Sequence, residues 1–171
     1  MRVREPIIID VEASGLGKNS YPIEVGVALS GSEKYCTLIQ PALRWTDWDA
    51  EAEKVHRVPR DILETYGRPV REVALRLNEL LAAKVLYSDG WVVDKPWLTM
   101  LFHAAGVNME FWVSPLEYIL SDFQMEHWHQ IKNELIETNN ITRHRASADA
   151  WLIRETYIRS FDMARKAEEK A

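Results

Sequence analysis

Asp10 and Glu12 stand two residues apart in a β-branched apolar run, Pro-Ile-Ile-Ile-Asp-Val over residues 6–11. Alternate side chains of a strand share one face, so both carboxylates would point the same way. Burying one carboxylate unpartnered is costly, and two together cost more unless protons, cationic side chains or a divalent metal neutralise them. No basic residue lies between Pro6 and Leu16, which makes a metal a natural counter-charge. A strand ending by Asp10 would instead leave both acids in solvent at its tip.

Two more acids and a histidine have the right types to join them. Asp94 lies at a strand-to-helix junction, where it also reads as a helix N-cap, and Asp89 competes with it for any catalytic part. Asp149 falls in the first turn of the last predicted helix, where the helix dipole favours an acid without any function. His144 precedes Asp149 by five residues. Within one helix that spacing would set the side chains about 140° apart. His144 therefore belongs to the loop before the helix, from which it can swing over a site that Asp149 borders.

The elements that must position these residues follow from periodicity. Strands are predicted over residues 6–11, 22–29 and 33–40, with turn chemistry from Ser14 to Ser20, so the chain opens as an antiparallel meander. Asp49 to His56 reads as a short helix, and Val70, Val73, Ala74, Leu77, Leu80 and Leu81 mark a longer one ending near Ala83. A buried strand over 84–88 leads to a helix capped by Asp94, with Pro96 in its first turn, running to about Ala105. A short strand over 111–113 follows, then a helix marked by Met125, Trp128, Ile131 and Leu135. The last helix is marked by Ala148, Trp151, Leu152, Ile158 and Phe161, and frays over 166–171. Strands first, then alternation with helices, describe a mixed α/β domain spanning residues 1–171.

Composition narrows the classes. Of 171 residues, 47% are hydrophobic and 27% charged, the balance of a chain that folds alone. No apolar run approaches the roughly 20 residues of a membrane helix. The first residues lack the apolar stretch of a secretory signal, and a single cysteine, Cys36, fits a reducing cytoplasm. Net charge is −5, from 21 basic and 26 acidic residues. No bulk positive field marks a nucleic-acid binder, so any phosphate would be held locally.

In chain order, Asp10-Val11-Glu12-Ala13-Ser14-Gly15, Asp94-Lys95-Pro96-Trp97-Leu98 and His144-Arg145-Ala146-Ser147-Ala148-Asp149 resemble the motifs of the DEDDh 3′–5′ exonucleases of the ribonuclease H-like superfamily. That family includes the proofreading subunit of replicative DNA polymerase, ribonuclease T and oligoribonuclease. Its motifs read Asp-x-Glu-x-(Thr/Ser)-Gly, an Asp preceding a helix, and His-x4-Asp. The resemblance runs from Ile7 to about Ile158 and includes Ile23-Glu24-Val25-Gly26 and a His56-Arg57-Val58 where relatives often carry His-Gly-Ile. It departs at Asp89-Gly90-Trp91-Val92-Val93-Asp94, where many relatives read His-Asn-x-x-Phe-Asp.

The resemblance implies a ribonuclease H-like fold, a mixed central sheet of about five strands flanked by helices. It implies a metal-dependent 3′–5′ exonuclease acting on single-stranded DNA, RNA or short oligonucleotides with a free 3′ end. Asp10, Glu12, Asp94 and Asp149 would hold two divalent ions, Mg²⁺ or Mn²⁺, with Asp10 bridging both. His144 would be the general base. Ser14, Gly15 and Leu16 would contact the terminal nucleotide, with Leu16 wedged on the base or simply packing its turn.

Other signals carry two readings each. Trp91 and Trp97 flank the second motif and would stack on a base or fill the core. Arg143, Arg145 and Arg154 would grip phosphates or solvate a helix end. His127 and His129 are two apart on a helix, which points them away from each other, as surface residues. Trp45 and Trp48 offer an exposed surface to a homodimer, though no periodic seam declares one. Two further functions stand beside the leading one: a catalytically silent nucleic-acid-binding or scaffolding module of the same fold, and an endonuclease, which the His-x4-Asp ending disfavours.

Overall fold

The computed structural model describes residues 5–169. Alternation along the first strand sets its architecture. In β1 (Ile7–Ala13), Ile9 and Val11 face one layer while Ile8, Asp10 and Glu12 face the other. The chain then forms β2 (Pro22–Ala28), β3 (Lys34–Leu38), α1 (Ala50–His56), α2 (Arg60–Tyr66), α3 (Val70–Leu81), β4 (Val85–Ser88), α4 (Trp91–Ala105) and β5 (Trp112–Pro115). A 3₁₀ turn (Leu116–Ile119), α5 (Asp122–Asn139) and α6 (Ala146–Glu168) complete it.

The sheet order is β3-β2-β1-β4-β5. β1 pairs antiparallel with β2 and parallel with β4, and β4 pairs parallel with β5. This is the five-stranded mixed sheet expected. On one face, Ile9, Val11, Val25 and Val27 pack against Leu77 and Leu81 of α3 and Leu98 and Leu101 of α4. On the other, Ile8 and Ala28 meet Trp128 of α5 and Ala150, Ile153 and Tyr157 of α6. Each fully buried Leu or Ile contributes about 1.5–3 kcal/mol. Among the described residues, no helix is long and apolar enough to cross a membrane.

Several boundaries differ from the sequence expectation, each for a local reason. β1 continues to Ala13 because β2 pairs with it through Val11↔Val25 and Glu12↔Glu24, so both acids lie within the strand rather than at its tip. Asp94 is not an N-cap. Gly90 caps α4, Asp94 sits in the first turn with its amide donating to the Gly90 carbonyl at 3.0 Å, and Pro96 falls in the second turn. The helix starts early because the Gly90 amide donates to the Ser88 hydroxyl at 3.0 Å, turning the chain straight out of β4.

α2 was not anticipated; it is a seven-residue helix between Pro59 and Gly67, too short to show a period. α5 is longer than its apolar marks because Ser121 and Gln124 form a capping box at its start. α6 remains helical to Glu168, inside the stretch expected to fray, with Arg165 and Glu169 paired across one turn at 3.8 Å. Lys170 and Ala171 lie outside the described residues, as do the first four residues, where the absence of a leader was read.

Candidate functional site

The carboxyl ends of β1 and β4 open between the first turns of α4 and α6, the position where open α/β sheets bind ligands. β1 brings Asp10 and Glu12 there on one face. α4 contributes Asp94, 3% exposed, whose carboxylate accepts the Ser88 hydroxyl at 2.5 Å. α6 contributes Asp149, 5% exposed, which accepts the His144 main-chain amide at 2.6 Å and pairs with Arg143. His144 lies in the loop before α6 with φ 65°, and its side chain is exposed. All five residues line one cleft of about 180 Å³, with Trp97 in its wall and the Asp89–Lys132 ion pair, 2.7 Å, at its rim.

The electrostatics are those of a site short of positive charge. Burial, then the charges of Asp94, Glu12 and Asp149, raise the Asp10 carboxyl well above its ordinary range. Burial, then Asp149, Glu24 and Asp94, push Glu12 up to about 7, with Arg145 pulling weakly the other way. Burial likewise takes Asp94 to about 7 against the opposing hydrogen bond from Ser88. Three of the four acids thus hold protons more tightly than free carboxyls do. The donor set is hard oxygen plus one imidazole, and Glu12, His144 and Asp149 each offer an atom within 4.8 Å of the others. That chemistry fits Mg²⁺ or Mn²⁺, which prefer carboxylate and water.

The substrate-side expectations divide. Leu16 is 84% exposed on the loop after β1, free to meet a ligand. Ser14 is buried, and its hydroxyl accepts the Tyr21 amide at 3.1 Å, fastening that loop. Gly15 packs where a β-carbon would lie 2.9 Å from Asp49 Cβ, so it lets the loop close on the start of α1.

Trp91 stands outside the cleft: its indole N–H donates to the Val113 carbonyl at 2.8 Å, and its ring lies beneath Lys95 Nζ at 5.0 Å. Arg145 turns away from the cleft to Glu24, its Nη2 2.7 Å from the carboxylate. Arg154 is buried and donates to the Leu29 carbonyl. His127 bonds back to the Phe123 carbonyl at 2.9 Å, while His129 is exposed. Trp45 and Trp48 are not an exposed dimer surface, because both pack on Tyr21, with the Trp45 ring 5.3 Å away, and Trp48 donates to Glu53 at 2.6 Å.

Sequence reasoning gave no role to Lys132, nor to Glu24 and Gly26, which it noted only within the resembling stretch Ile23-Glu24-Val25-Gly26. Lys132 gave no signal, since its partner Asp89 lies 43 residues away. Glu24 and Gly26 carried one: an acid and a glycine at alternate positions of an otherwise apolar strand.

The architecture and the cleft together define the class as a ribonuclease H-like α/β fold with an acidic cleft at the carboxyl ends of β1 and β4. Among solved structures, E. coli exonuclease I in complex with a dA16 oligonucleotide matches with TM-score 0.64 and 13% identity, over 92% of this chain and 42% of that one. The zinc-bound E. coli exonuclease I–ssDNA complex matches with TM-score 0.68 and 12% identity, over 94% and 40%. A moderately thermophilic exonuclease I from Methylocaldum szegediense matches with TM-score 0.63 and 14% identity, over 92% and 42%. The chain thus spans about two fifths of the length of these proteins. No family model and no curated protein sequence matches the chain.

Proposed function

We propose that residues 1–171 form one metal-dependent 3′–5′ exonuclease domain that removes 5′-mononucleotides from single-stranded DNA, RNA or short oligonucleotides. The observation that carries this reading is the convergence of Asp10, Glu12, Asp94, Asp149 and His144 on one cleft, from β1, α4, α6 and the loop before α6. The oligonucleotide and single-stranded DNA in the matching exonuclease I structures support the choice of polymer. The lone Cys36 accords with a reducing, cytoplasmic setting.

Asp10, Glu12, Asp94 and Asp149 would hold two ions, Mg²⁺ or Mn²⁺, which supply charge neutralisation for an in-line displacement at phosphorus. The protein's residues do the rest. His144 accepts the proton of the attacking water. Water oxygen bonds to the phosphorus of the last phosphodiester, the bond from that phosphorus to the 3′ oxygen of the preceding nucleotide breaks, and that oxygen takes up a proton from solvent, so the shortened chain gains a 3′-hydroxyl. The mononucleotide leaves with a 5′-phosphate. Asp149 fixes the His144 main chain, which holds the loop carrying the base at the cleft mouth. Leu16, exposed beside the end of β1, wedges against the terminal base.

The test is a time course on 5′-labelled single-stranded DNA and RNA with Mn²⁺ or EDTA, for the wild type and Asp10→Ala. The reading expects a metal-dependent ladder shortening from the 3′ end, absent in the variant. Unchanged polymer in both would overturn it in favour of a silent binding module, and internal products would point to an endonuclease.

A further inference from the structure

Glu24 is a buried acid that the proposed chemistry does not use. It lies on β2 directly opposite Glu12, so the two side chains share a face of the sheet. Its carboxylate is 1% exposed, yet every approach to it is filled. The Ala146 amide donates to it at 3.0 Å, Arg145 donates through Nη2 at 2.7 Å and through Nε at 3.1 Å, and Cys36 Sγ lies at 3.5 Å.

Cys36 comes from β3, and the other two partners, Arg145 and Ala146, belong to one place, the start of α6. Arg145 is the N-cap residue of that helix and makes no side-chain cap of its own. The first free amide of the helix is instead capped from across the fold, 122 residues away in sequence, by a charged acceptor. A bidentate guanidinium adds direction to the contact as well as charge. Two residues along the same face, Gly26 leaves the space the helix start needs: a β-carbon there would sit 2.2 Å from the Ala146 carbonyl carbon. The docked end is stiff, since the Asp149 amide donates to the Arg145 carbonyl at 3.0 Å and the His144 amide to the Asp149 carboxylate at 2.6 Å.

We infer that Glu24 is a positioning residue: by clamping Arg145 and Ala146 to β2 it sets where Asp149 and His144 stand against Asp10 and Glu12. It touches neither substrate nor ion. Arg145, read from sequence as a phosphate grip, is the other half of this clamp. The inference deepens the proposed nuclease reading and uses its cleft, but the placement it describes is measurable without turnover.

Glu24→Gln keeps an acceptor for Ala146 and loses the charged fork; Arg145→Ala removes the fork from the more exposed side. Two readouts apply to each folded variant: amide exchange along α6, and Mn²⁺ titration by calorimetry. The clamp predicts faster exchange at residues 144–149, with protection kept beyond Leu152. It predicts Mn²⁺ affinity lowered about 10–100-fold, as for other groups that orient metal ligands. It also predicts partial recovery in Arg145→Lys and a fall in kcat with KM nearly unchanged.

A folded Glu24→Gln with wild-type exchange and wild-type Mn²⁺ affinity would overturn the inference, as would exchange that rises evenly along α6. If Glu24→Gln does not fold, Arg145→Ala decides by the same two readouts. If the wild type binds no Mn²⁺ while exchange at 144–149 still responds, the nuclease reading fails and the clamp stands.

Discussion

Gly26 stands opposite Asp10 in the β1–β2 register, and the Ala146 backbone at the start of α6 packs directly against it. The requirement is for space alone, because Gly26 is not among the glycines with positive φ. The obstacle to a side chain is main chain, which no rotamer change relieves. Gly26→Ala should therefore push α6 outward, costing about 1–3 kcal/mol or more. Asp149 should move off Asp10 with it. Thermal melting checks the first effect and Mn²⁺ titration the second. An alanine variant with wild-type melting and wild-type affinity would show that the contact yields freely.

The acidic cluster makes the metal-free fold sensitive to pH in an unusual direction. Glu12 and Asp94 titrate at about 7 in the folded chain, against ordinary values of 4.5 and 3.8, and Asp10 is raised as well. Between those values the folded form keeps protons that the unfolded form has released, so stability falls as pH rises. The contribution is fully present below about pH 4 and is lost as pH passes 7. Without metal, the melting temperature should drop between pH 5 and pH 8 by the cluster's share. Saturating Mn²⁺ should raise it most at pH 8, where the carboxylates are free to bind. Metal-free melting that climbs steadily over that range would contradict the picture.

Much of the site was legible because its signals are local. Asp10 and Glu12 declare themselves by alternation in a β-branched run, and His144 and Asp149 by a spacing that no helix face accommodates. Each pattern alone also fits a cap, a helix dipole or a strand tip; the motif resemblance is what joined the four acids and the histidine, and all five line one cleft. What stayed hidden depends on contacts distant in sequence. Glu24 looks like an exception in an apolar strand until Arg145 arrives from the far end of the chain. Asp94 looks like a cap because Lys95-Pro96 resembles a first turn, whereas Gly90 and the Ser88 hydroxyl start the helix earlier. Trp91 had two readings in sequence, and the one that packs it on the core depends on β5, where its indole finds a carbonyl partner.

Arg57 holds a backbone conformation that has a physical cost. It closes α1 in the left-handed region, at φ 58°. That conformation crowds a β-carbon by about 1–2 kcal/mol. Arg57 is exposed and its amide still donates to the Glu53 carbonyl. Arg57→Gly should relieve the crowding, offset in part by the greater entropy of glycine in the unfolded chain. A net gain of about 0.5–1 kcal/mol corresponds to roughly 1–4 °C in melting temperature for a chain of this size. Loss of stability in the glycine variant would mean that the arginine side chain makes a stabilising contact of its own.

His144 presents its main chain and its side chain to different tasks, and one substitution separates them. The main-chain amide holds Asp149, while the exposed imidazole lies near Glu12 and Asp149. As a general base, the ring acts on water and contributes about 10²–10⁴-fold to turnover. As a metal ligand, it would act on the ion instead. Asparagine tolerates the left-handed backbone at this position, so His144→Asn should leave the loop and the Asp149 contact intact. The general-base role predicts kcat lowered by about 10²–10⁴-fold, with Mn²⁺ affinity unchanged from the wild type. A variant whose Mn²⁺ affinity falls as far as that of Asp149→Asn would move His144 from the base to the ligand set, and the proton of the attacking water would need another acceptor in the cleft.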